Sequence, residues 1–335
     1  MTAYVIRRIL WFIPVLTIVG LITFTIAQLT PGGPFDRNPE EGRRMNPGTE
    51  RVLRARFGLD LPQWRQFTRY MFFDIEKDAK TKEDKIVWGA IGGNLGPTYK
   101  SQGRRTVQQE IFGSSGGNPS SFYYSARLGL QAFLIALGLG IPLGVLAALK
   151  QNTWIDYLVL FTATAIYSLS SLVLSFILLL LFSSYLGWFT IIPDWDDPIR
   201  PWILPSMALG LASMGYVARV ARASVLEVKR QDYVRTAQAK GLADMAVVWK
   251  HIVKNAMLPI VTISGPLFAG LLTGSLFVER VFLVPGIGND FVTAVGARDY
   301  SMILGLTLLY CFALTIASLV VDLLYGVVDP RISLA

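Results

Sequence analysis

The chain has 335 residues, of which 53% are hydrophobic and 16% are charged, and its mean hydropathy is +0.47. This composition leaves too little polar surface for a soluble globular domain and indicates a membrane protein. The net charge of +8 fits basic loops held on the cytoplasmic side, so nucleic-acid binding is the weaker interpretation. A single cysteine, Cys311, and a single histidine, His251, exclude a disulfide framework and a Cys/His zinc cluster.

Six apolar runs are long enough to cross a bilayer as helices, which takes about 20 residues. They are residues 9–29, 128–149, 157–185, 203–221, 258–278 and 302–327. The first follows Arg7 and Arg8 like a signal peptide, but it is too long and lacks a small-residue cleavage site, so we predict a retained span. The sequence therefore predicts an all-α polytopic membrane protein with six transmembrane helices.

Between the first two spans lies a long segment, residues 31–121, that is rich in Gly, Pro and charge. Residues 53–73 contain helix-compatible stretches with turn-prone Gly58 and Pro62, whereas residues 113–121 have no periodicity. We expect a small extracytoplasmic lobe of short helices and loops. The alternative is an unstructured linker, since loops this long are either functional or disordered.

Within the spans, Gly140 with Gly144 and Gly270 with Gly274 have the spacing that lets helices approach closely. Serine and threonine side chains either line a translocation pathway or satisfy backbone carbonyls inside helices. The candidates are Ser168, Ser170, Ser171, Thr262, Ser264 and Thr273. Asp322 faces either a protein interior or the solvated membrane interface.

Lysine and arginine in the loops orient the spans. From Arg219 to Lys254 the chain has eight Lys and Arg against three Asp and Glu, a net charge of +5, so this loop is predicted to be cytoplasmic. The loop at residues 186–201 has three Asp against Arg200 alone, and residues 279–299 are balanced, as outside loops tend to be. Six spans then place both termini in the cytoplasm.

The stretch 231–254, QDYVRTAQAKGLADMAVVWKHIVK, has the pattern of two short helices. Gly241 divides them and permits the turn, and Asp244 is placed to cap the second. Apolar residues recur at helical spacing on both sides of Gly241, at Tyr233, Val234 and Ala237 and then at Met245, Val248, Trp249 and Ile252. Such amphipathic helices either lie on lipid or dock in a groove of another protein, and periodicity leaves both open.

Residues 232–242, DYVRTAQAKGL, continued by WKHIVKNAMLP at 249–259, resemble the signature of binding-protein-dependent ABC importer permeases of the dipeptide, oligopeptide and nickel family. The general signature is Glu-Ala-Ala, three residues, Gly, nine residues and Ile-x-Leu-Pro. Only Ala237 and Gly241 match it strictly. However, Arg235-Thr236-Ala237 followed by Ala-Lys-Gly at 239–241 is similar to the variant in the first, B-type, peptide permease subunit.

The resemblance extends along nearly the whole chain. Segments similar to the family are residues 4–33, 54–70, 93–99, 278–290, 298–300 and 322–331. The stretches around residues 72–91 and 112–120 depart from the family pattern. The resemblance implies the type I ABC importer permease fold in a bacterial or archaeal cytoplasmic membrane. Its implied domains are an N-terminal transmembrane helix (1–30), the extracytoplasmic lobe (31–121), a permease domain with five helices and a coupling loop at 223–256 (122–327), and a cytoplasmic tail (328–335).

The sequence has no Gly-x-x-x-x-Gly-Lys-Ser/Thr phosphate loop, so we expect no ATP binding through that cradle and no enzyme activity in this chain. The resemblance implies that this chain carries no cofactor or metal and that ATP and Mg²⁺ bind to two partner ATPase subunits. It also implies a second homologous permease subunit, an extracytoplasmic substrate-binding protein and transport of peptides or related small solutes. The rival is an ion-coupled secondary transporter, which would place ionisable groups near mid-membrane.

In the family a short cytoplasmic helix inserts into a cleft of the ATPase subunit. The coupling residues implied here are Arg235, Thr236, Ala237, Lys240 and Gly241. We hypothesise that Ala237 and Gly241 allow close approach to that cleft, while Arg235 and Lys240 form charge-assisted hydrogen bonds with acidic groups on it. The alternative is that the basic residues only fix the orientation of the spans.

Overall fold

The computed structural model describes residues 2–30, 47–77, 84–114, 119–195 and 197–328. Its helices are α1 (Thr2–Leu29), α2 (Pro47–Phe57), α3 (Gln63–Met71), α4 (Val107–Phe112), α5 (Ser121–Leu149), α6 (Trp154–Ser168), α7 (Ser171–Leu179), α8 (Arg200–Lys229), α9 (Asp232–Ala239), α10 (Asp244–Val247), α11 (Lys254–Leu272), α12 (Leu276–Val281), α13 (Ile287–Ala297) and α14 (Tyr300–Val328). A 3₁₀ turn lies at Ala90–Gly92, and π-helical turns extend α7 (Leu180–Tyr185) and join α10 to α11 (Val248–Val253). The exit from the first span at 31–33, the predicted tail beyond 328, and parts of the stretches 72–91 and 112–120 lie outside the described residues.

Among the described residues, five helical segments are long and apolar enough to cross a membrane, and a bent pair makes six if it is counted as one span. The five are Ile6–Leu29, Ser121–Leu149, Arg200–Lys229, Asp244–Val281 and Tyr300–Leu324. The mainly helical polytopic fold is therefore confirmed.

The third span is not the single helix that one apolar run at 157–185 suggests. Its two halves, α6 and α7, meet at a bend of 100°. Leu169 leaves the helix with an extended backbone, and the Ser170 hydroxyl accepts a hydrogen bond from the Leu172 N–H at 3.3 Å, which caps α7. Because both sides of the break are apolar, hydropathy alone does not reveal it.

The chain divides into two compact units: Met1–Tyr124 with Pro285–Ala313, and Ser125–Val284 with Leu314–Ala335. In the first unit, α3 packs along α1, and one buried cluster joins α4, α13 and the start of α14. In the second unit, α8 packs against α6, α7 and α11. Each unit therefore has a core of its own.

A two-stranded antiparallel sheet lies in the stretch 72–91, where short helices and loops were expected. Strand β1 (Phe73–Lys77) pairs with β2 (Asp84–Trp88), and Phe73 lies opposite Trp88. The alternation of apolar and acidic residues in the first four positions of FDIEK is the period of a strand, whereas DKIVW does not alternate and gave no such signal. The sheet is an addition to the predicted all-α fold.

A buried carboxylate anchors the start of α14 within the first unit. Asp299 accepts hydrogen bonds from the backbone N–H groups of Met302 at 3.1 Å and Lys100 at 3.0 Å. Burial raises the pKa of this carboxyl group, because the charged form is poorly solvated. The two bonds tie the loop before α4 to the first turn of α14.

Of the two predicted glycine pairs, the first packs closely at both positions and the second at only one. A Cβ atom at Gly140 would lie 2.8 Å from Val217, and one at Gly144 would meet the Ala218 carbonyl oxygen, so α5 approaches α8 there. Gly270 has open space around it in the described chain. Gly274 lies beyond the end of α11 with a positive φ of 87°, and a Cβ atom there would meet Glu279 Oε1 and lie 3.1 Å from Ser125 Oγ of α5. The prediction of close packing is therefore confirmed at Gly274 and wrong at Gly270.

Alanine at Gly144 is expected to destabilise the chain by about 1–2 kcal/mol, because the α5–α8 contact has no room for a methyl group. The matched control is Gly270→Ala, which fills open space within a helix and should leave stability unchanged or slightly raised. The measurement is the thermal unfolding midpoint of the full chain purified in detergent. Equal shifts for the two variants would contradict the packing argument.

Candidate functional site

The candidate site is the segment that connects α8 to α11. Helix α8 ends at Lys229, α9 spans Asp232–Ala239, and α10 begins at Asp244, so the predicted pair of short helices is confirmed. Gly241 turns the chain between them with φ of 73°, and its N–H donates to the Gln238 carbonyl oxygen at 2.9 Å. The second helix is not isolated, because α10 continues through the π-helical turn into α11 as one segment, Asp244–Val281.

One buried cluster holds α9 against the rest of the second unit. Val234 and Ala237 from α9 pack with Val247 of α10 and Ile252 of the π-helical turn. The cluster is completed by residues at the ends of three long helices, Val145 and Ala148 of α5, Val225 of α8 and Ala256 of α11. Because these side chains are close-packed, a displacement of α9 must move the ends of α5, α8 and α11 with it.

The apolar residues that recur at helical spacing in the two short helices do not all face the same surroundings. Val234, Ala237 and Ile252 are buried. Met245 and Trp249, by contrast, are 66% and 60% exposed, and Val247 takes the inward place in α10. Periodicity groups apolar residues by spacing, but it does not say which group faces the chain's own core.

Four large apolar side chains of this segment are exposed, and we call them the exposed apolar set: Tyr233, Leu242, Met245 and Trp249. Tyr233 is held in place by its hydroxyl oxygen, which accepts a hydrogen bond from Asn255 Nδ2 at 3.1 Å. Large apolar groups that are exposed beside a well-packed core are characteristic of contact surfaces. The sequence pattern included Tyr233, Met245 and Trp249 without identifying the surface that they face, and it did not single out Leu242.

Asp244 does not cap α10, contrary to the prediction. The N-cap residue is Ala243, which has no side chain able to accept a hydrogen bond, and Asp244 is the first residue of the helix. At that position the carboxylate still favours helix formation through the helix dipole.

The five predicted coupling residues lie on one short stretch but face different surroundings. Arg235, Thr236, Lys240 and Gly241 are exposed, and Ala237 is buried in the cluster beneath α9. Arg235 Nη1 lies 4.0 Å from Asp232 Oδ1, and Thr236 Oγ1 donates to the Asp232 carbonyl oxygen at 2.9 Å. The small side chain of Ala237 therefore lets α9 pack closely against the ends of α5, α8 and α11. Gly241 has open space where a Cβ atom would be.

An ion pair that the sequence did not reveal joins α6 to α8 one turn before Val225. Arg222 Nε donates to Asp156 Oδ1 at 2.6 Å, and Arg222 Nη2 donates to Asp156 Oδ2 at 2.7 Å. The Asn152 N–H also donates to Asp156 Oδ2, at 3.1 Å. Asp156 is 1% exposed. A bidentate pair of this geometry fixes the relative position of the two helices.

Two of the basic residues counted in the predicted cytoplasmic loop lie within α8. Arg222 binds Asp156, and the Arg219 guanidinium lies 4.2 Å from the centre of the Tyr167 ring, which is a cation–π contact. Both guanidinium groups therefore interact with other side chains of the second unit. Among the described residues, no group of three or more His, Cys, Asp or Glu side chains is placed to hold a metal ion.

Comparison with known proteins gives matches at the levels of family, sequence and fold. Residues 140–334 match the family described as binding-protein-dependent transport system inner membrane component. The dipeptide transport system permease protein DppB of Bacillus subtilis is 34% identical over 334 residues, which cover 100% of this chain and 99% of that protein. The oligopeptide transport system permease protein OppB of Salmonella typhimurium is 35% identical over 335 residues, 99% of each chain.

Among solved structures, the inward-facing MetNI methionine ABC transporter matches with a TM-score of 0.52 at 16% identity. The match covers 62% of this chain and 94% of the other. At this identity the likeness concerns the fold alone.

Proposed function

This chain belongs to the family of binding-protein-dependent transport system inner membrane components and is a multi-pass permease subunit of an ABC importer; from this premise we propose that it imports peptides and is driven through α9 by a separate ATPase. The fold is that of type I ABC importer permeases. The observation that carries the coupling proposal is the buried cluster that joins α9 to the ends of α5, α8 and α11. The full-length similarity to ABC permeases decides against the ion-coupled secondary transporter.

The peptide cargo is supported by the names of relatives that match along their whole length, a dipeptide permease and an oligopeptide permease. Peptides and related small solutes are the cargo class that we propose. This chain forms half of the pathway, and a second homologous permease subunit forms the other half. An extracytoplasmic binding protein delivers the substrate.

Two ATP-binding subunits supply the energy and bind ATP and Mg²⁺. This chain does not hydrolyse ATP, in keeping with the lack of a phosphate loop in its sequence. When the ATPase subunits close, α9 moves as a rigid body and the ends of α5, α8 and α11 move with it. ATP and the docked binding protein thus bias the permease between inward-open and outward-open states.

In this proposal the segment that connects α8 to α11, which we call the coupling segment, contacts the ATPase through its exposed side. The exposed apolar set enters a cleft, and Arg235 and Lys240 pair with acidic groups at its rim. Thr236 and Gly241 border the same surface. Ala237 does not contact the ATPase but packs α9 against the buried cluster. The charge of this segment supports a cytoplasmic position for it, with both chain termini on that side and the lobe at 31–121 on the other.

Replacing Trp249 with alanine is expected to weaken ATPase binding by at least about 1 kcal/mol, because exposed tryptophan side chains often dominate interfaces. The assembled transporter should then lose several-fold in ATP-driven peptide uptake and in ATPase subunit retained on purification. The matched control is Trp64→Ala, a tryptophan of α3 that is 69% exposed and lies in the first unit. Normal uptake and normal ATPase retention in the Trp249 variant would contradict the proposed contact.

A further inference from the structure

The first unit contains a cavity of about 150 Å³, which is lined by residues of α1, α2, α3, β2 and the start of α14. We propose that this cavity binds the carboxylate group of a small organic anion, with two arginine side chains as its counter-charge. The transport mechanism described above makes no use of the cavity. Its charge, its buried hydroxyl groups and its aromatic walls carry the inference.

The lining of the cavity has an excess of positive charge. Arg56 and Arg69 are among the described residues that line it, and none of the others is acidic. Outside the cavity, Arg69 Nε lies 3.9 Å from Asp74 Oδ2, and Asp74 Oδ1 lies 3.4 Å from Arg65 Nη2. One carboxylate is thus shared by two arginines, so the group keeps a net positive charge.

Arg56 lies where the cavity opens to solvent. Its Nη1 and Nη2 donate to the carbonyl oxygens of Gln102 at 3.4 Å and Gly103 at 3.0 Å. Both acceptors are uncharged, so they orient the guanidinium group without neutralising it. Arg56, Trp88 and Asn94 are exposed residues of the lining. A ligand can therefore enter past Arg56.

The inner end of the cavity has two tyrosine hydroxyl groups beside Ser301, which is 7% exposed. The Tyr70 hydroxyl donates to the Ser301 carbonyl oxygen at 3.3 Å, and a side-chain hydrogen bond joins Tyr99 to Ser301. Burial raises the pKa of both tyrosines, so both hydroxyl groups stay protonated at neutral pH. They offer polar contacts without the negative charge that would repel an anion.

The positive charge of Arg69 acts close to these hydroxyl groups. It lowers the pKa of Tyr99, although the larger effect of burial still raises it. A guanidinium group that favours a negative oxygen at Tyr99 favours one on a ligand at the same place. The inner end of the cavity is therefore suited to an anionic group.

Aromatic and aliphatic side chains form the walls. The ring centres of Phe57 and Tyr99 are 4.4 Å apart, and those of Tyr99 and Tyr300 are 6.1 Å apart. Phe24 and Leu304 add to the apolar lining. A cavity of about 150 Å³ with apolar walls can hold a benzene molecule. The space thus fits a carboxylate that is attached to an apolar group of about this size.

Hydrogen bonds fix the elements around the cavity before any ligand binds. Gln66 Nε2 donates to the carbonyl oxygens of Leu59 at 3.1 Å and Leu61 at 2.7 Å, and Gln66 Oε1 accepts from Gln28 Nε2 at 3.2 Å. These bonds join α3 to α1 and to the turn after α2. Binding to a site that is already ordered loses little conformational entropy.

A carboxylate matches this set of groups better than other small ligands do. Two guanidinium groups repel a cation, and an uncharged ligand does not use their charge. Inorganic phosphate would leave the aromatic walls without a contact. Arginine binds carboxylates through charge-assisted hydrogen bonds, often two at once. Small organic acids and the last residue of a peptide share this chemistry.

The test uses the full chain, purified in detergent with the subunits that it assembles with. The probes are para-fluorobenzoate and para-fluorobenzamide, which have nearly the same shape and differ in charge. Binding is measured from the broadening of the fluorine NMR signal relative to empty micelles. We expect the benzoate to bind at least about tenfold more tightly than the benzamide, because hydrogen bonds to charged groups are the stronger ones. Equal binding of the two probes would overturn the proposal.

Two arginine variants locate the site. Arg69→Gln should weaken benzoate binding several-fold. The matched control is Arg65→Gln, on the same helix, since Arg65 pairs with the same carboxylate but does not line the cavity. Benzoate affinity that falls equally in both variants, or that stays unchanged in Arg69→Gln, would overturn the proposal.

A second measurement needs no substitution. A ligand that binds the folded chain raises its thermal unfolding midpoint, so para-fluorobenzoate should raise the midpoint of the wild-type assembly and para-fluorobenzamide should not. A midpoint that benzoate leaves unchanged, at a concentration that saturates the fluorine signal, would overturn the proposal.

Competition identifies the source of the carboxylate. Displacement of para-fluorobenzoate by glycylleucine, but not by glycylleucine amide, would support the last residue of a peptide as the ligand. Displacement by neither would support a small organic acid. Displacement by the amide as strong as that by the free dipeptide would overturn the proposal, because the site would then not recognise the carboxylate.

Discussion

Replacing Asp156 with asparagine is expected to destabilise the second unit by about 1–3 kcal/mol, because it leaves the Arg222 guanidinium, whose side chain is 21% exposed, without its counter-charge. An asparagine oxygen can still accept one hydrogen bond from Arg222. It does not replace the bidentate, charge-assisted contact or neutralise the cation. The loss should appear as a lower yield of folded chain and a lower thermal unfolding midpoint in detergent.

Two further variants separate this effect from a general sensitivity to charge. Asp232→Asn removes a carboxylate whose side chain is almost fully exposed, and stability should not change measurably. The double variant Asp156→Leu with Arg222→Met removes both charges and should recover much of the loss. The role of the ion pair is refuted if the double variant is less stable than Asp156→Asn, or if Asp156→Asn behaves like the unaltered chain.

Valine at Gly241 is expected to abolish most ATP-driven uptake while the chain still folds. Gly241 has φ of 73°, a conformation that costs a β-branched residue about 2 kcal/mol. A strain of that size at the turn between α9 and α10 lowers the population of the docked conformation by more than about tenfold. Peptide uptake and the ATPase activity of the assembled complex, measured in proteoliposomes, should both reveal the loss of coupling.

Asparagine at the same position distinguishes a backbone effect from a clash with the partner. Asparagine tolerates the left-handed conformation, and the structure has open space at the Cβ position. Gly241→Asn should therefore keep most of the uptake. Equal loss with asparagine and valine would mean that side-chain bulk against the ATPase is responsible, and full activity with valine would refute both the backbone effect and the clash.

The sequence was sufficient for the features that rest on strong local patterns. Long apolar runs identified the spans, since helices of soluble domains rarely stay apolar over the thickness of a bilayer. Gly241, between two periodic runs, identified the turn between α9 and α10, and the period of 3.6 residues placed Val234 and Ala237 on one face. These predictions needed only the residues within a single element.

The features that the sequence did not reveal depend on contacts between elements. The charge count treated Arg222 as a loop cation, because its partner Asp156 lies 66 residues earlier in the chain. The exposure of Met245 and Trp249 could not be predicted, because spacing does not identify the surface that faces the core. The bend between α6 and α7 was missed since hydropathy averages over a break between two apolar segments.

The separation of the coupling segment into a buried side and an exposed side has a consequence for how such permeases diverge. Val234, Ala237 and Ile252 pack within this chain, whereas in the proposed complex Trp249, Arg235 and their exposed neighbours contact the ATPase. Changes on the exposed side can therefore retune the choice of ATPase without disturbing the fold. A permease of this kind can acquire a new energising partner through a few surface substitutions, while its transmembrane pathway and cargo stay the same.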